Sequence, residues 1–199
     1  MTNSLVTSDM MMSVDGYAAG LNQRADDPFG DGVHKILPRW MFEAADENAE
    51  EIKNICVAGA YVMGRNMFGP DRGDWDLDWT GWWGPEPPYH APVFVLGHRE
   101  RESVEMEGGT TFHFVTGGII DALDQARAAA SDRTVSIAGG AATVNQYLAA
   151  GLIDELRLHV APVFLGRGER LLAGAGRVDL RQVSARQTSV VTHLTYALK

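Results

Sequence analysis

The chain has 199 residues, enough for one sizeable core, and its length indicates a single domain over residues 1–199. A net charge of −9 without any basic run argues against nucleic-acid and anionic-membrane surfaces, and no segment has the length of a membrane span. The single cysteine, Cys56, excludes an internal disulfide bond and is typical of a reducing compartment, so we expect a cytoplasmic protein.

The first predicted elements are a strand over 8–14 and a turn at Asp15-Gly16. A polar loop follows over 21–32. A first helix is predicted to begin between His34 and Trp40, because apolar residues from Trp40 onward recur at helical spacing opposite an acidic face. That acidic face is expected to be solvated.

Two strands are predicted to end in corners that carry a cation. The apolar run over 55–63 ends in a strand and is followed by Gly64-Arg65-Asn66 at the start of a short helix or turn. A second strand over 93–96 ends in Gly97-His98-Arg99. An exposed arginine is usually only a solvated residue, so neither corner identifies a site by itself.

Residues 70–92, here called the tryptophan loop, carry Trp75, Trp79, Trp82 and Trp83 among acids, glycines and prolines. This composition excludes a regular helix or a central strand. The rings either cover an exposed flank of the core or a subunit contact, or they form an aromatic wall at a ligand site. On the second interpretation, Trp82 or Trp83 lies at the rim of the substrate cleft.

The remaining chain alternates strands and helices, which indicates an α/β fold with a mainly parallel sheet. Strands are predicted over 111–115, 135–138 and 156–164, helices over 119–130 and 143–150, and a terminal antiparallel pair over 180–185 and 192–198.

The region around which the chain is organised is the double glycine, Gly139-Gly140, between a strand and a helix. Glycine lets the backbone approach a ligand closely, and the helix that follows offers unpaired N–H groups and a positive dipole end, which suit a phosphate. The alternative is a tight turn without a ligand.

Three motifs in this order, MGRNMF, VLGHR and IAGGAATVNQYL, make the chain resemble the dihydrofolate reductase-like superfamily. It is most similar to the reductase domain of bacterial riboflavin biosynthesis, and MSVDGYAAG and GLIDELRLHVAPVFLGRGERLL share that resemblance. The resemblance implies a three-layer α/β/α sandwich. It also implies an NADPH-dependent reductase of a small heterocyclic, pterin- or pyrimidine-like, or carbonyl substrate.

The resemblance assigns NADPH to the three strand ends, with arginine forks on phosphates. The implied cofactor-binding residues are Gly64, Arg65, Asn66, Leu96, Gly97, His98, Arg99, Gly139, Gly140, Ala141, Ala142 and Thr143. The expected substrate-binding residues are Trp40, Trp82, Trp83 and Ala138. Asp15 is a catalytic candidate that could assist protonation, and its alternative is a turn residue. No metal site is predicted.

Two departures from the folate enzymes leave other functions open. Met67 follows the basic pair where those enzymes usually have a threonine, and Trp40 stands nearest the place of their pterin-binding carboxylate. The alternatives are a true dihydrofolate reductase and an NADP-binding protein without turnover. The family commonly forms homodimers, and the apolar run over 156–165 predicts a dimer through this part of the sheet.

Overall fold

The computed structural model describes residues 4–70 and 72–198. Its strands are β1 (Val6–Ser13), β2 (Tyr17–Ala19), β3 (Ala60–Gly64), β4 (Pro92–Leu96), β5 (Val104–Glu105), β6 (Thr111–Val115), β7 (Val135–Gly139), β8 (Glu155–Ala161), β9 (Glu169–Arg170), β10 (Leu180–Gln187) and β11 (Thr192–Leu198). Its helices are α1 (Arg39–Phe42), α2 (Ala49–Ile55), α3 (Arg65–Phe68), α4 (Gly118–Ala130) and α5 (Ala141–Ala149), with 3-10 turns at Ala45–Asn48 and Glu107–Gly109.

Among the described residues, nine strands form one sheet in the order β10-β11-β8-β1-β7-β3-β4-β6-β5. The six strands from β8 to β6 in this order are parallel to their neighbours, and β10, β11 and β5 run antiparallel at the two edges. The short strands β2 and β9 pair separately. The predicted α/β fold with a mainly parallel sheet is therefore confirmed.

Layers cover both faces of this sheet because successive side chains of each strand point to opposite faces. On one face, Val6, Val62, Ile137 and Leu156 pack in the main core together with buried residues of α4 and α5, such as Leu123. On the other face, α3 and the tryptophan loop cover β3, β4 and β6, while α1 and α2 lie over β8 and β11. The result is the expected three-layer sandwich.

The predicted first helix is shorter and more broken than its apolar spacing suggests. It begins at Arg39, directly after Pro38, and gives way to the 3-10 turn before α2 resumes at Ala49. The Asn48 side chain donates hydrogen bonds to the carbonyls of Ala44, at 2.6 Å, and Trp40, at 3.3 Å. These bonds replace the regular backbone ladder and account for the interruption.

Strand β8 also differs from its prediction, and the difference changes the expected dimer surface. It ends at Ala161 rather than 164, because Pro162 has no N–H to donate to a ladder. It lies between β11 and β1, and its Leu156 and Leu158 are buried in the main core. The strand part of the apolar run over 156–165 is thus largely interior, whereas Phe164 beyond it is 77% exposed. The exposed strand of this half of the sheet is the edge strand β10.

Candidate functional site

The carboxyl ends of the parallel strands bring the predicted cofactor residues to one edge of the sheet. Gly64 ends β3, Leu96 ends β4 and Gly139 ends β7. In the sheet, β3 lies between β7 and β4. The loops and helices that follow these ends carry the remaining predicted positions. In open α/β sheets, ligands bind in the crevice at such strand ends.

The double glycine forms an open corner between β7 and α5. The Gly139-Gly140 peptide bond is cis, and Gly139 has a φ of 130°, a conformation that favours glycine. A Cβ built on Gly140 would have no atom within 4 Å, whereas one on Gly139 would lie 3.0 Å from the Met67 sulfur. Helix α5 begins next, with no side-chain cap at Gly140. This corner has both the space and the helix start that a phosphate needs.

Thr143 packs beneath this corner rather than into it. Its side chain is buried, and its hydroxyl lies so close to Gly64 that a Cβ on Gly64 would collide with it. Its backbone N–H donates to the Gly140 carbonyl at 3.0 Å. The small residue at Gly64 therefore permits close packing of α5 against the end of β3.

Two predicted phosphate-binding arginines meet at the same acidic residue of the tryptophan loop. Arg65 donates to the Asp74 carbonyl at 3.0 Å, and Arg99 forms an ion pair with the Asp74 carboxylate. The Arg65 guanidinium lies 3.9 Å from the centre of the Trp75 ring, and Trp75 donates from its indole nitrogen to the Arg99 carbonyl at 3.0 Å. Trp75 thus contacts the Arg65 guanidinium through its ring and the Arg99 backbone through its indole nitrogen.

Other cations hold the loop, and two of them were not among the sequence candidates. Arg101 donates to the carbonyls of Leu77, at 3.1 Å, and Trp79, at 2.7 Å. Arg72 donates to the Asn66 side-chain oxygen. Arg101 carries no specific sequence signal, because its partners are backbone carbonyls. His98 is exposed at the end of β4.

Asp15 joins the turn after β1 to the loop after β8. Its carboxylate accepts hydrogen bonds from the Ser13 hydroxyl at 2.6 Å and from the backbone N–H groups of Leu165, at 3.0 Å, and Gly166, at 2.7 Å. The Ser13 bond is the main cause that lowers the pKa of Asp15 to about 2. Such a carboxylate is ionised at neutral pH, so the geometry favours a holding role. The protonation role stays a prediction.

The predicted substrate residues do not meet in one cleft. Trp40 is 1% exposed and packs on the His159 ring, with ring centres 4.5 Å apart, over β8. Trp83 packs nearly parallel on Phe112 of β6, at 5.9 Å. Four strands separate the two positions in the sheet. Trp40 and Trp83 therefore cover opposite halves of the same face.

Part of the face between these halves is partly exposed. Met11 on β1 and Ala138 on β7 belong to adjacent strands and point to the side that carries α1 and α3, and Met67 of α3 is also partly exposed. The substrate-side role of Ala138 stays a prediction. Within residues 4–70 and 72–198 no group of three or more His, Cys, Asp or Glu side chains could hold a metal ion.

The tryptophan loop supports its packing interpretation at most positions. Trp75 lies against Phe114 at 4.9 Å, and the Trp79 indole nitrogen donates to the Phe68 carbonyl at 2.8 Å. Trp82 contacts Trp79 edge to face at 4.8 Å. Trp82 is thus the ring least tied to the sheet.

We expect single substitutions to separate packing from substrate contact in this loop. Trp83→Ala removes a half-buried ring from Phe112 and Tyr89, so it should lower the free energy of unfolding by about 2–3 kcal/mol. Trp82→Ala should cost less than about 1 kcal/mol. Urea unfolding measures both. If Trp83→Ala is as stable as the parent protein and loses only turnover, the ring is a substrate wall.

In the part of the chain that the structure describes, no helix is both long and apolar enough to cross a membrane.

Comparisons with known sequences agree with this architecture. The family model described as the RibD C-terminal domain matches residues 4–194. The uncharacterized protein YyaP of Bacillus subtilis (strain 168) is 23% identical over 209 residues, which span 98% of each chain.

Solved structures share the fold at low sequence identity. The riboflavin biosynthesis reductase Rib7 of Saccharomyces cerevisiae superposes with a TM-score of 0.59 at 14% identity, covering 98% of this chain and 89% of its own. Dihydrofolate reductase from Enterococcus faecalis, solved with NADP(H), gives 0.57 at 12% identity and covers 98% and 96%. At these identities the likeness establishes the dihydrofolate reductase-like fold.

Proposed function

The chain belongs to the RibD C-terminal domain family, and from this premise we propose that it is an NADPH-dependent reductase of a small heterocyclic or carbonyl substrate. The observation that carries the proposal is the strand-end edge. There an open glycine corner, a helix start and two arginines that contact Asp74, Arg99 at its carboxylate and Arg65 at its backbone carbonyl, occur together.

The residues present fit a dinucleotide that carries an additional phosphate. Gly140 and the start of α5 suit the pyrophosphate, since a Cβ at Gly140 would project into open space. Arg65 and Arg99 suit the 2′-phosphate. Arg99 now pairs with the Asp74 carboxylate, and Arg65 donates to the Asp74 backbone carbonyl. The side chains of Arg99 and Asp74 are 57% and 88% exposed, so their ion pair is weak and a phosphate can replace it.

Bound NADPH would supply a hydride to the substrate. The chain itself would mainly orient the reactants: the glycine corner and the arginines fix the cofactor, and the partly exposed face around Met11 and Ala138 receives the substrate. Asp15 would keep the turn after β1 in place through its bonds to Leu165 and Gly166.

Two rival functions give different outcomes in simple assays. For a true dihydrofolate reductase, the first-helix position nearest the pterin-binding carboxylate is the buried Trp40, which disfavours pterin binding there. A folate-analogue binding assay tests this rival. A protein that binds NADP without turnover would consume no NADPH with any member of a heterocycle and carbonyl panel.

We expect the two arginines to determine preference for NADPH over NADH. Arg65→Ala or Arg99→Ala should weaken NADPH binding by about 1–3 kcal/mol, because each removes charge-assisted bonds to a phosphate. NADH affinity should stay nearly unchanged. Calorimetric titration of both cofactors measures the effect, and NADPH should raise the melting temperature of the parent protein more than NADH. Equal losses for both cofactors would contradict the 2′-phosphate assignment.

The homodimer remains part of this proposal, with its surface moved to the sheet edge. Strand β10 is exposed along its length, including Leu180 and Val183, and an unpaired edge is a natural place for a two-fold contact. A monomer by light scattering at micromolar concentration would refute the dimer. The cytoplasmic location stays an expectation from the single cysteine.

A further inference from the structure

A buried chain of polar side chains joins the sheet to the first helices. The His159 and His193 rings approach through their Nδ1 atoms at 2.7 Å, and His193 Nε2 lies 2.7 Å from the Asn48 side-chain oxygen. On the other side, His159 Nε2 lies 3.5 Å from Asp9 Oδ1, with side chains only 3% and 5% exposed. These side-chain contacts thus connect β1, β8 and β11 to the 3-10 turn before α2.

Asn48 fixes the direction of the hydrogen bonds. Its side-chain nitrogen donates to the backbone carbonyls of Ala44 and Trp40, which can only accept. Its side-chain oxygen therefore faces His193 and must receive a proton. His193 consequently carries its hydrogen on Nε2.

The contact between the two imidazoles then holds a single proton. A neutral His193 with hydrogen on Nε2 has a bare Nδ1, which accepts. Because the two Nδ1 atoms are only 2.7 Å apart, the proton between them belongs to His159. The tautomers of both rings are therefore determined by an asparagine on another element.

On its other side, the His159 ring approaches Asp9, with 3.5 Å between His159 Nε2 and Asp9 Oδ1. Apart from their mutual approach, His159 Nε2 and Asp9 Oδ1 have no hydrogen-bond partner among residues 4–70 and 72–198. Arg157 reaches the other Asp9 oxygen at 3.4 Å and is itself paired with Glu155 at 2.6 Å.

This row of polar side chains fastens the segment 39–55 to the sheet. The Trp40 ring of α1 covers both imidazoles, with ring centres 4.5 and 5.2 Å away. Around this buried centre, Arg186 of β10 forms two hydrogen bonds with the Glu51 carboxylate, and Ser189 donates to Glu47. Among these described contacts between the segment 39–55 and the sheet, only the buried one involves imidazoles.

We propose that this row of buried polar side chains acts as a proton-sensitive latch. It holds the segment 39–55 on the sheet only while His159 and His193 share one proton between their Nδ1 atoms. A second proton on His193 would place two N–H groups head to head at 2.7 Å. The hydrogen bond is then lost and an unpaired charge remains buried, which is costly. The segment 39–55 consequently leaves the sheet in acid.

The surrounding charges decide the direction of the pH dependence. His193 faces His159 on β8, Glu51 on α2 and Arg186 on β10, and Asp9 lies beyond His159. Burial, followed by the charge on His159, lowers the pKa of His193 to about 4, against the opposing effect of Glu51. When the segment 39–55 has left the sheet, His193 has the ordinary histidine pKa of about 6.5. The latch is therefore complete above about pH 6.5 and weakens as the pH falls toward about 4, the pKa of His193 in the folded protein.

Two measurements on the whole protein test the latch, and neither depends on the proposed reductase activity. Nitrogen-15 NMR of the histidine rings at neutral pH should show His193 protonated on Nε2 and His159 on Nδ1. Hydrogen exchange should show protection of amides in 39–55 falling about tenfold or more from about pH 7 to about pH 4, after correction for intrinsic rates. Amides of α4 serve as the internal reference for global unfolding.

A non-titrating variant provides the decisive comparison. In His193→Gln the side-chain oxygen can accept from His159 and the amide can donate to Asn48, so the acid-dependent opening should disappear. His34→Gln, at an exposed loop histidine, is the matched control and should open like the parent protein. Opposite tautomers, a parent segment that stays protected at about pH 4, or equal opening in His193→Gln would each overturn the latch.

Discussion

Gly140→Ala is expected to lose NADPH binding and to keep its fold. The backbone at Gly140 has a φ of −74° and a ψ of −169°, which alanine adopts readily, and a Cβ there meets no atom within 4 Å. The added methyl group would therefore occupy the space that we assign to the pyrophosphate. Loss of these charge-assisted contacts should cost about 2 kcal/mol or more, roughly a thirtyfold rise in Kd.

Calorimetric titration and thermal melting together measure this result. Gly139→Ala is the contrasting variant, because its φ of 130° and the Met67 sulfur at 3.0 Å oppose a side chain. We expect Gly139→Ala to lower the melting temperature before any cofactor is added, whereas Gly140→Ala should melt like the parent protein. Normal NADPH binding by Gly140→Ala would show that the glycine corner is not the phosphate site.

Trp40→Ala should produce the largest loss of stability. The indole is 1% exposed and packs on His159 and His193, so its removal leaves a cavity beneath α1. Truncation of a buried tryptophan typically lowers the free energy of unfolding by about 3–5 kcal/mol. Urea unfolding at neutral pH measures the change.

Trp40→Phe provides a conservative control for this variant. The Trp40 indole nitrogen is buried without a hydrogen-bond partner among the described residues. Phenylalanine keeps a ring over the imidazoles and removes this unsatisfied donor, so its loss should be about 1–2 kcal/mol. If Trp40→Ala were stable but failed to turn over substrate, Trp40 would be a substrate contact instead of a core residue.

For Trp40, the sequence predicted its place in a helix, but its side chain packs in the core instead of in the predicted substrate cleft. Its place at the start of the first helix is predicted from apolar spacing, and α1 does begin one residue earlier, at Arg39. Its burial under the segment 39–55 depends on His159 and His193, which lie more than a hundred residues away in sequence. Local spacing identifies an apolar face, but it does not say what that face covers.

The sequence by itself determined the parallel core and the edge at which the candidate site lies. Period-two and helical spacing are local properties, and they predicted β6 over 111–115 to the residue and α4 within one residue. Because parallel strands end at one edge of a sheet, Gly64, Gly97 and Gly140 could be placed together once their strands were recognised.

Only the tertiary structure decided which side chains meet across the sheet. Arg157 and His159 occupy the polar positions of β8, and the alternation with Leu156 and Leu158 shows only that they face the other side. Their pairing with Asp9 follows from the register between β8 and β1, which sets residues 148 to 150 positions apart in contact. Hydrophobic spacing specifies a face, whereas strand order, register and loop packing depend on the free energy of the whole folded chain.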